Sequence, residues 1–247
     1  MVHGVPDAAE STAFPTRRQV DAVLFDFHGT LAQVEEPVTW VVAAAAACGA
    51  VLDRGKATIL ADRLVTAGRA GGPLPRRVPI HLAEHWADRD LYEHSHRAVY
   101  TGLASTVSTD VEGLADALYD RLLGPDGWLP YADTGATLRA LHDAGIKVAV
   151  VSNIGFDIRP HFAAWGLDTL VDAYALSYEL GRTKPDPAIF LRACGMLGVD
   201  PERTLMVGDS AADAGAVQAG CATLVLPAAE PGRANGLGAS LALAGCS

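Results

Sequence analysis

Apolar positions along this chain fall into two periods, and the change between them divides the sequence. The first apolar run lies in residues 20–27 and includes Val23-Leu24-Phe25. A short run of β-branched, aliphatic and aromatic residues of this kind predicts a buried strand. It ends on Asp26, and Phe27-His28-Gly29-Thr30-Leu31 follows at once. Pro37 permits a helix start, since proline is tolerated in a first turn, and the Ala-rich run from Trp40 predicts helix to about Cys48. Residues 57–67 show helical spacing, and Gly71-Gly72-Pro73-Leu74-Pro75 breaks it. Residues 80–103 predict one long helix around Trp86, Leu91, Tyr92 and Val99. A further helix is predicted over 111–123, with a cap offered by Ser108-Thr109-Asp110. No convincing strand is visible from 48 to about 129.

The pattern then changes. Helices are predicted over 134–144, 158–165, 186–197 and 211–219, and strands over 146–151, 173–176, 204–207 and 221–226. Strand and helix in alternation imply a parallel sheet with helices on both faces. The fold class is therefore α/β, a doubly wound parallel sheet with an inserted helical segment. Residues 1–19, which are polar and hold Pro6 and Pro15, read as an N-terminal tail. Residues 20–35 and 130–247 read as the α/β core, with one short helix near 237–243. A structureless loop over 36–129 would be implausible; a helical cap standing over the carboxyl ends of the strands is the economical reading.

Composition narrows the function classes. Half the residues are apolar and 19% are charged, as in globular chains. A net charge of −10 argues against general nucleic-acid binding, which needs a basic surface. A small anionic substrate remains compatible, because a local lysine or metal reverses the sign inside a pocket. Cys48, Cys194, Cys221 and Cys246 are scattered without metal spacing and read as free thiols of a reduced compartment. The longest apolar run, from Trp40 to Leu52, is too short to span a bilayer. A cytoplasmic protein acting on a small molecule is expected, with no membrane partner.

Candidate chemistry gathers at the strand ends, which in open α/β sheets share one ligand-binding rim. Asp26 ends the first strand and is a candidate nucleophile. Ser152 and Asn153 follow 146–151 and can hydrogen-bond an anion. Lys184, in Arg182-Thr183-Lys184-Pro185-Asp186-Pro187, supplies positive charge. Asp209 follows 204–208, with Asp213 four residues on. Asp209 and Asp26 together can hold a hard divalent cation such as Mg²⁺, which prefers oxygen ligands.

These residues resemble the motifs of the haloacid dehalogenase-like hydrolase superfamily, in the branch with a helical cap after the first strand. Asp26-Phe27-His28-Gly29-Thr30 resembles its first motif and Ser152 its second. Lys184-Pro185-Asp186-Pro187 resembles the third, and Gly208-Asp209-Ser210-Ala211-Ala212-Asp213 the fourth. The resemblance implies that Asp26 attacks substrate and forms a covalent aspartyl intermediate. It implies Mg²⁺ held by Asp26, the main-chain carbonyl of His28 and Asp209, with Asp213 acting through water or orienting Lys184. Thr30 and Ser152 would contact the transferring group. The departure is His28, since phosphatases of the superfamily usually carry a second aspartate there. Imidazole can do acid and base work near neutral pH, so phosphomonoester hydrolysis is expected. Cleavage of a carbon–halogen or phosphorus–carbon bond, or a binding protein that retains the fold, are the alternatives.

Within the insert, His81 and His85 share a helix face with Glu84 between them, too few ligands for a metal site. Arg76, Arg77, Arg89 and Arg97 are candidates to reach the substrate. Trp40, Tyr131, Phe156 and Trp165 are expected to pack rather than bind.

Overall fold

The computed structural model describes residues 20–246; the expected tail over 1–19 lies outside the described residues. Five parallel strands form the central sheet: β1 (Ala22–Phe25), β4 (Lys147–Ser152), β5 (Ala173–Leu176), β6 (Thr204–Gly208) and β7 (Ala222–Val225). Their spatial order is β5-β4-β1-β6-β7, which places β1 at the centre. Leu24 stands opposite Ala149 on one side and Met206 on the other.

The two-residue period of a strand explains why β1 is apolar throughout. All four of its residues are fully buried. Val23 and Phe25 enter a core on one face with Phe27, Leu138, Leu141 and Phe162. Ala22 and Leu24 enter the core on the other face with Ile189 and Phe190. A strand covered on both faces has no solvent side to mark with polar residues. α6 (Thr134–Asp143) and α7 (Arg159–Ala164) cover the first face. α9 (Pro187–Leu197) covers the second; Asp186 caps it by accepting from the Ala188 N–H, and Pro187 opens its first turn.

Two strands read as neither strand nor motif in the sequence join the insert to the core. β2 (Ala32–Val34) pairs antiparallel with β3 (Trp128–Pro130), so the chain leaves and returns along a single ribbon. Between them lie α1 (Pro37–Ala47), α2 (Arg54–Ala67), α3 (Ala83–Asp88), α4 (Glu93–Ser105) and α5 (Leu114–Leu123). The insert has its own core of Trp40, Val41, Ala44, Leu60, Leu64, Leu114 and Leu118. The Trp40 indole N–H donates to the Leu118 carbonyl at 3.0 Å, which fixes the ring within that core.

The single helix expected over 80–103 is broken. A 3₁₀ turn (Ile80–Leu82) precedes α3, and α4 starts only after Tyr92, whose backbone is extended. The Arg89 guanidinium donates to the Trp86 carbonyl, satisfying the end of α3 from its own side chain. The break brings the Asp90 carbonyl onto the Ser177 hydroxyl of the core. The segment expected as helix over 211–219 is a 3₁₀ turn, Asp213–Ala219, and Ser177–Leu180 forms a short helix, α8, that the pattern did not mark. The final helix, α10, spans Gly238–Ala244. Among the described residues no helix is long and apolar enough to cross a membrane. All four cysteines are free.

His161 on α7 is fully buried, with neither ring nitrogen hydrogen-bonded. It packs edge-on against Phe27, Trp128 and Trp165, with ring centroids 6.0–6.1 Å apart. Burial pushes its pKa down to about 4. In the unfolded chain it titrates near the ordinary imidazole value of about 6.5. The unfolded state therefore binds the extra proton between these values, and stability falls as pH drops through that window. Urea unfolding at pH 7 and pH 5 is expected to show a loss of about 2 kcal/mol from this residue. His161→Phe is expected to lessen that pH dependence; an unchanged slope would refute the assignment.

Candidate active site

The carboxyl ends of β1, β4 and β6 open on one rim and deliver the expected residues there. Asp26 directly follows β1, Ser152 ends β4, and Asp209 directly follows β6. Lys184 arrives on the loop between α8 and α9. Its ammonium donates to Asp26 Oδ1 at 2.6 Å and to Asp213 Oδ1 at 2.7 Å. All three side chains are at least nine-tenths buried. The second oxygen of Asp213 accepts from both the N–H and the hydroxyl of Ser210. Asp213 is thus held from three directions, which orients Lys184 on the nucleophile candidate.

Of the two ways in which Asn153 could assist anion binding, main chain or amide, the amide is committed elsewhere. Its amide Nδ2 donates to the Lys184 carbonyl at 2.9 Å, and its Oδ1 accepts from the Lys184 N–H at 2.7 Å. Both ends of the amide are committed to one residue's main chain, so the side chain braces Lys184 and leaves only its own main chain for a substrate. Ser152 is buried at the β4 terminus. Thr30 is also buried, and its hydroxyl has no hydrogen-bond partner. A buried polar atom in that condition is one that a ligand oxygen would satisfy.

Gly29 has φ +82°, and a Cβ there would collide with the Asp209 carboxylate. The turn after Asp26 therefore needs glycine twice over: for its left-handed backbone and for the close approach of Asp209. A residue far along the chain holds the turn from behind. The Asn235 amide donates to the carbonyls of Gly29 and Thr30, both at 3.0 Å. Asp133 in turn accepts from the N–H groups of Asn235 and Leu237. Asn235 was not singled out in the sequence, where Asn before Gly in a Gly/Ala-rich stretch signals only a turn.

One ligand-capable oxygen from each of Asp26, Asp209 and Asp213 lies within 4.8 Å of the others, the one such group of metal-ligating side chains among the described residues. Three carboxylates face one ammonium. If all are ionised the cluster carries two surplus negative charges, which a divalent cation balances. Burial, then repulsion from Asp26 and Asp213, pushes Asp209 up to about 6. Burial also raises Asp26, opposed by Lys184. Lys184 itself is pulled down by burial, but the two carboxylates together outweigh that and hold it above its ordinary value. An all-oxygen donor set with surplus negative charge suits Mg²⁺.

His28 does not bond Asp26. Its Nε2 lies 2.5 Å from Gln33 Oε1. Gln33 Oε1 also accepts the Val34 N–H, so the amide oxygen is fixed as the acceptor and the imidazole nitrogen as a donor. The ring stands edge-on to Trp128 at 5.7 Å. Burial holds its pKa below the ordinary value, against the raising effects of Asp26, Gln33 and Gly71.

The insert residues proposed to reach down mostly do not. Arg76 and Arg77 are exposed. Arg97 pairs with Asp116 and Asp120 on the surface. Arg89 stacks over Trp86. His81 is exposed and His85 bonds Ser95. Tyr131 is buried and its hydroxyl donates to the Ala229 carbonyl, a packing role.

A family model described as haloacid dehalogenase-like hydrolase matches residues 20–220. Haloacid dehalogenase-like hydrolase domain-containing protein 3 of Danio rerio is 33% identical over 99 residues, 40% of this chain and 41% of that protein. Glyceraldehyde 3-phosphate phosphatase of Methanopyrus kandleri is 36% identical over 81 residues, 32% of this chain and 35% of the phosphatase. The chain thus spans about two fifths or less of the length of these relatives. A solved dehalogenase with an intermediate complex superposes with a TM-score of 0.63 at 26% identity, covering 91% of this chain and 97% of that one.

Replacing Lys184 by Met leaves two buried carboxylates without their counter-charge. Breaking a buried pair in this way costs about 3–5 kcal/mol. Lys184→Met is expected to lower unfolding stability by that order in metal-free buffer; a loss within experimental error would mean that the two carboxylates take up protons at no cost.

Proposed function

The chain belongs to the haloacid dehalogenase-like hydrolases, and on that footing we propose that it is a Mg²⁺-dependent phosphatase of small phosphorylated metabolites, working through an aspartyl phosphate on Asp26. The observation that carries this reading is the cluster of Asp26, Asp209 and Asp213 around Lys184. Attack by a carboxylate on a haloalkane carbon needs no divalent cation, whereas a transferring phosphoryl group needs its charge neutralised.

The cation would be held by Asp26, Asp209 and the main-chain carbonyl of His28, with Asp213 contributing through water; when bound it supplies charge neutralisation at the phosphoryl oxygens. The residues then divide the work. Lys184 holds Asp26 Oδ1 and orients the carboxylate for in-line attack on phosphorus. The Thr30 hydroxyl and Ser152 donate to the phosphoryl oxygens. As the phosphorus–oxygen ester bond breaks, the leaving oxygen takes a proton from the His28 imidazolium. His28, now neutral, removes a proton from the water that attacks the aspartyl phosphate. Phosphate leaves, and both Asp26 and the imidazolium are restored. Gln33 fixes the ring by accepting from Nε2, which leaves Nδ1 to carry the proton.

A second reading, cleavage of a carbon–halogen bond, is favoured by the likeness to a solved dehalogenase and by His28 standing where most phosphatases of the superfamily carry aspartate. The two readings separate on metal dependence. Phosphate release from alkyl phosphomonoesters is expected to require Mg²⁺ and to stop with excess EDTA, and Asp26→Asn is expected to abolish it. Halide release from 2-haloacids in EDTA would overturn the phosphatase reading.

The acid role of His28 has its own test. General acid catalysis contributes about 10²–10⁴-fold where the leaving group needs a proton. His28→Ala is expected to lower kcat for alkyl phosphates by about 10²-fold or more, while sparing p-nitrophenyl phosphate, whose leaving group departs unprotonated. Equal losses on both substrates would remove the acid role.

A further inference from the structure

Arg69, two residues beyond α2, carries a buried guanidinium that the reaction above does not use. The residue is only 6% exposed. Its Nε and Nη2 are both buried and neither has a hydrogen-bond partner. These two N–H groups lie on the same edge of the planar fork, the edge that binds a carboxylate or phosphate with two parallel hydrogen bonds. The same pair of atoms is in use elsewhere in the molecule. Arg121 donates from Nε and Nη2 to the two oxygens of Glu35 at 2.7 and 2.9 Å. Glu35 is the buried carboxylate near Arg69, and Arg121 has already claimed it.

The face of the Arg69 guanidinium is fixed as well. Its central carbon lies 4.3 Å from the centroid of the Trp40 ring, and Trp40 is itself pinned to Leu118. Cation–π stacking holds the plane, and the Nε–Nη2 edge is buried without a partner. Burial pushes Arg69 down to about 10, against the pull of Glu35 and Glu36, so it is charged at neutral pH. A charged, desolvated group without a partner is costly, and it persists where a ligand supplies the partner.

The surroundings connect Arg69 to the reaction centre. A cavity of about 470 Å³ is lined by Arg69, Gln33, Gly71 and Ala228. Gln33 is the residue that bonds His28. A Cβ on Gly71 would stand 3.0 Å from the His28 Nε2, and one on Gly29 would stand 3.4 Å from the Ala228 side chain. The cavity wall is therefore in contact with both sides of the turn that follows Asp26. The remaining acids at its mouth, Glu36 and Glu230, are exposed and screened by water and salt.

We propose that Arg69 binds a second anionic group of the substrate, a carboxylate or phosphate other than the group that Asp26 attacks, through its Nε and Nη2. The inference deepens the phosphatase reading and rests on it for the identity of the attacked group. It narrows the substrate class to phosphorylated acids or bisphosphates of a few carbons, in preference to phosphorylated alcohols or sugars without a second charge.

Non-hydrolysable ligands test it without turnover. Phosphonoacetate, 3-phosphonopropionate and 4-phosphonobutyrate are each compared, by calorimetric titration with Mg²⁺ present, with the hydroxyalkylphosphonate of the same length. In the wild-type protein at least one carboxylated ligand is expected to bind ten-fold or more tightly than its alcohol partner. Arg69→Met is expected to reduce that preference to within two-fold and to leave the alcohol affinities unchanged. Arg69→Lys, which keeps the charge and loses the fork, is expected to retain part of it. Circular dichroism and the alcohol affinities report whether each variant is folded. A wild-type protein that does not distinguish the two series overturns the proposal. So does a loss shared equally by both series, which would place Arg69 on the attacked group or in the packing alone. Phosphate release is followed separately. If it is absent while the Arg69-dependent preference stands, only the phosphatase reading fails.

Discussion

The two-pronged contact of Lys184 with Asp26 and Asp213 is the constraint on which the rest of the structure depends. It joins residues 158 and 29 positions apart, and it can be made only if β1, the loop before α9 and the turn after β6 converge on one rim. Each approach is itself fixed. The two ends of Asn153 bond the main chain of Lys184, and Ser210 holds the free oxygen of Asp213. A buried ion pair stabilises little in itself, because desolvation consumes most of the attraction. What it does here is specify: any other arrangement of these loops would bury at least one unpaired charge.

That specification has a residue of unbalanced charge. Asp209 is brought within 4.8 Å of the other two carboxylates by a turn that only Gly29 permits. Left alone, the cluster relieves its repulsion by raising the pKa of Asp209. A fold stabilised for its own sake would place a neutral or cationic side chain there. The presence of a third carboxylate, half-buried and close, is intelligible as a trade of stability for a cation site. The same logic applies to the unpartnered hydroxyl of Thr30 and to the fork of Arg69. Each is a local defect that a ligand oxygen would repair, Thr30 within the turn after Asp26 and Arg69 on the cavity whose wall, at Gly71, reaches His28.

The sheet and the rim were legible in the sequence because both rest on local signals. Residues 173–176 form the strand expected from their apolar run, and Pro187 begins the helix that its fixed φ suits. Asp26 and Asp209 directly follow strands, Lys184 lies just before a helix and Asp213 opens the turn after β6, so position at element ends brought them together. The illegible parts depend on tertiary contact. β2 and β3 have three residues each, shorter than any periodicity can register, and exist because they pair with each other. The helical pattern of 80–103 ran through Asp88–Tyr92, since Arg89 can end a helix from its own side chain without a glycine or proline to announce it. Arg69 follows Gly68 in an irregular segment, where an arginine reads as solvated; its burial is imposed by Trp40, twenty-nine positions earlier. For Asn153 the sequence left backbone and amide both open to a ligand; the amide is taken by the Lys184 main chain, because a strand-end amide can face a ligand or a neighbouring main chain, and spacing does not distinguish them.

Net charge sharpens what the insert must do. At −10 the protein repels an anion at long range, so affinity for an anionic substrate would have to come from cations close to it and shielded from water. Coulomb attraction at a few ångströms grows several-fold as the surroundings change from water to protein interior. Lys184 gains that environment beneath the strand ends, and Arg69 gains it from the insert, wedged between Trp40 and the ribbon that joins insert to core. The two cations belong to different parts of the chain, Lys184 at the strand ends and Arg69 on a cavity lined by the insert and the ribbon. Lys184 keeps its two carboxylates whatever binds, whereas a substrate charged only at the attacked end would leave Arg69 desolvated and unpaired. Discrimination by that penalty is stronger than discrimination by fit, because an unmet buried charge costs more than a missing methylene. The insert then selects by charge placement, and a rigid fork fixed on an indole face is better suited to that than a flexible surface lysine would be.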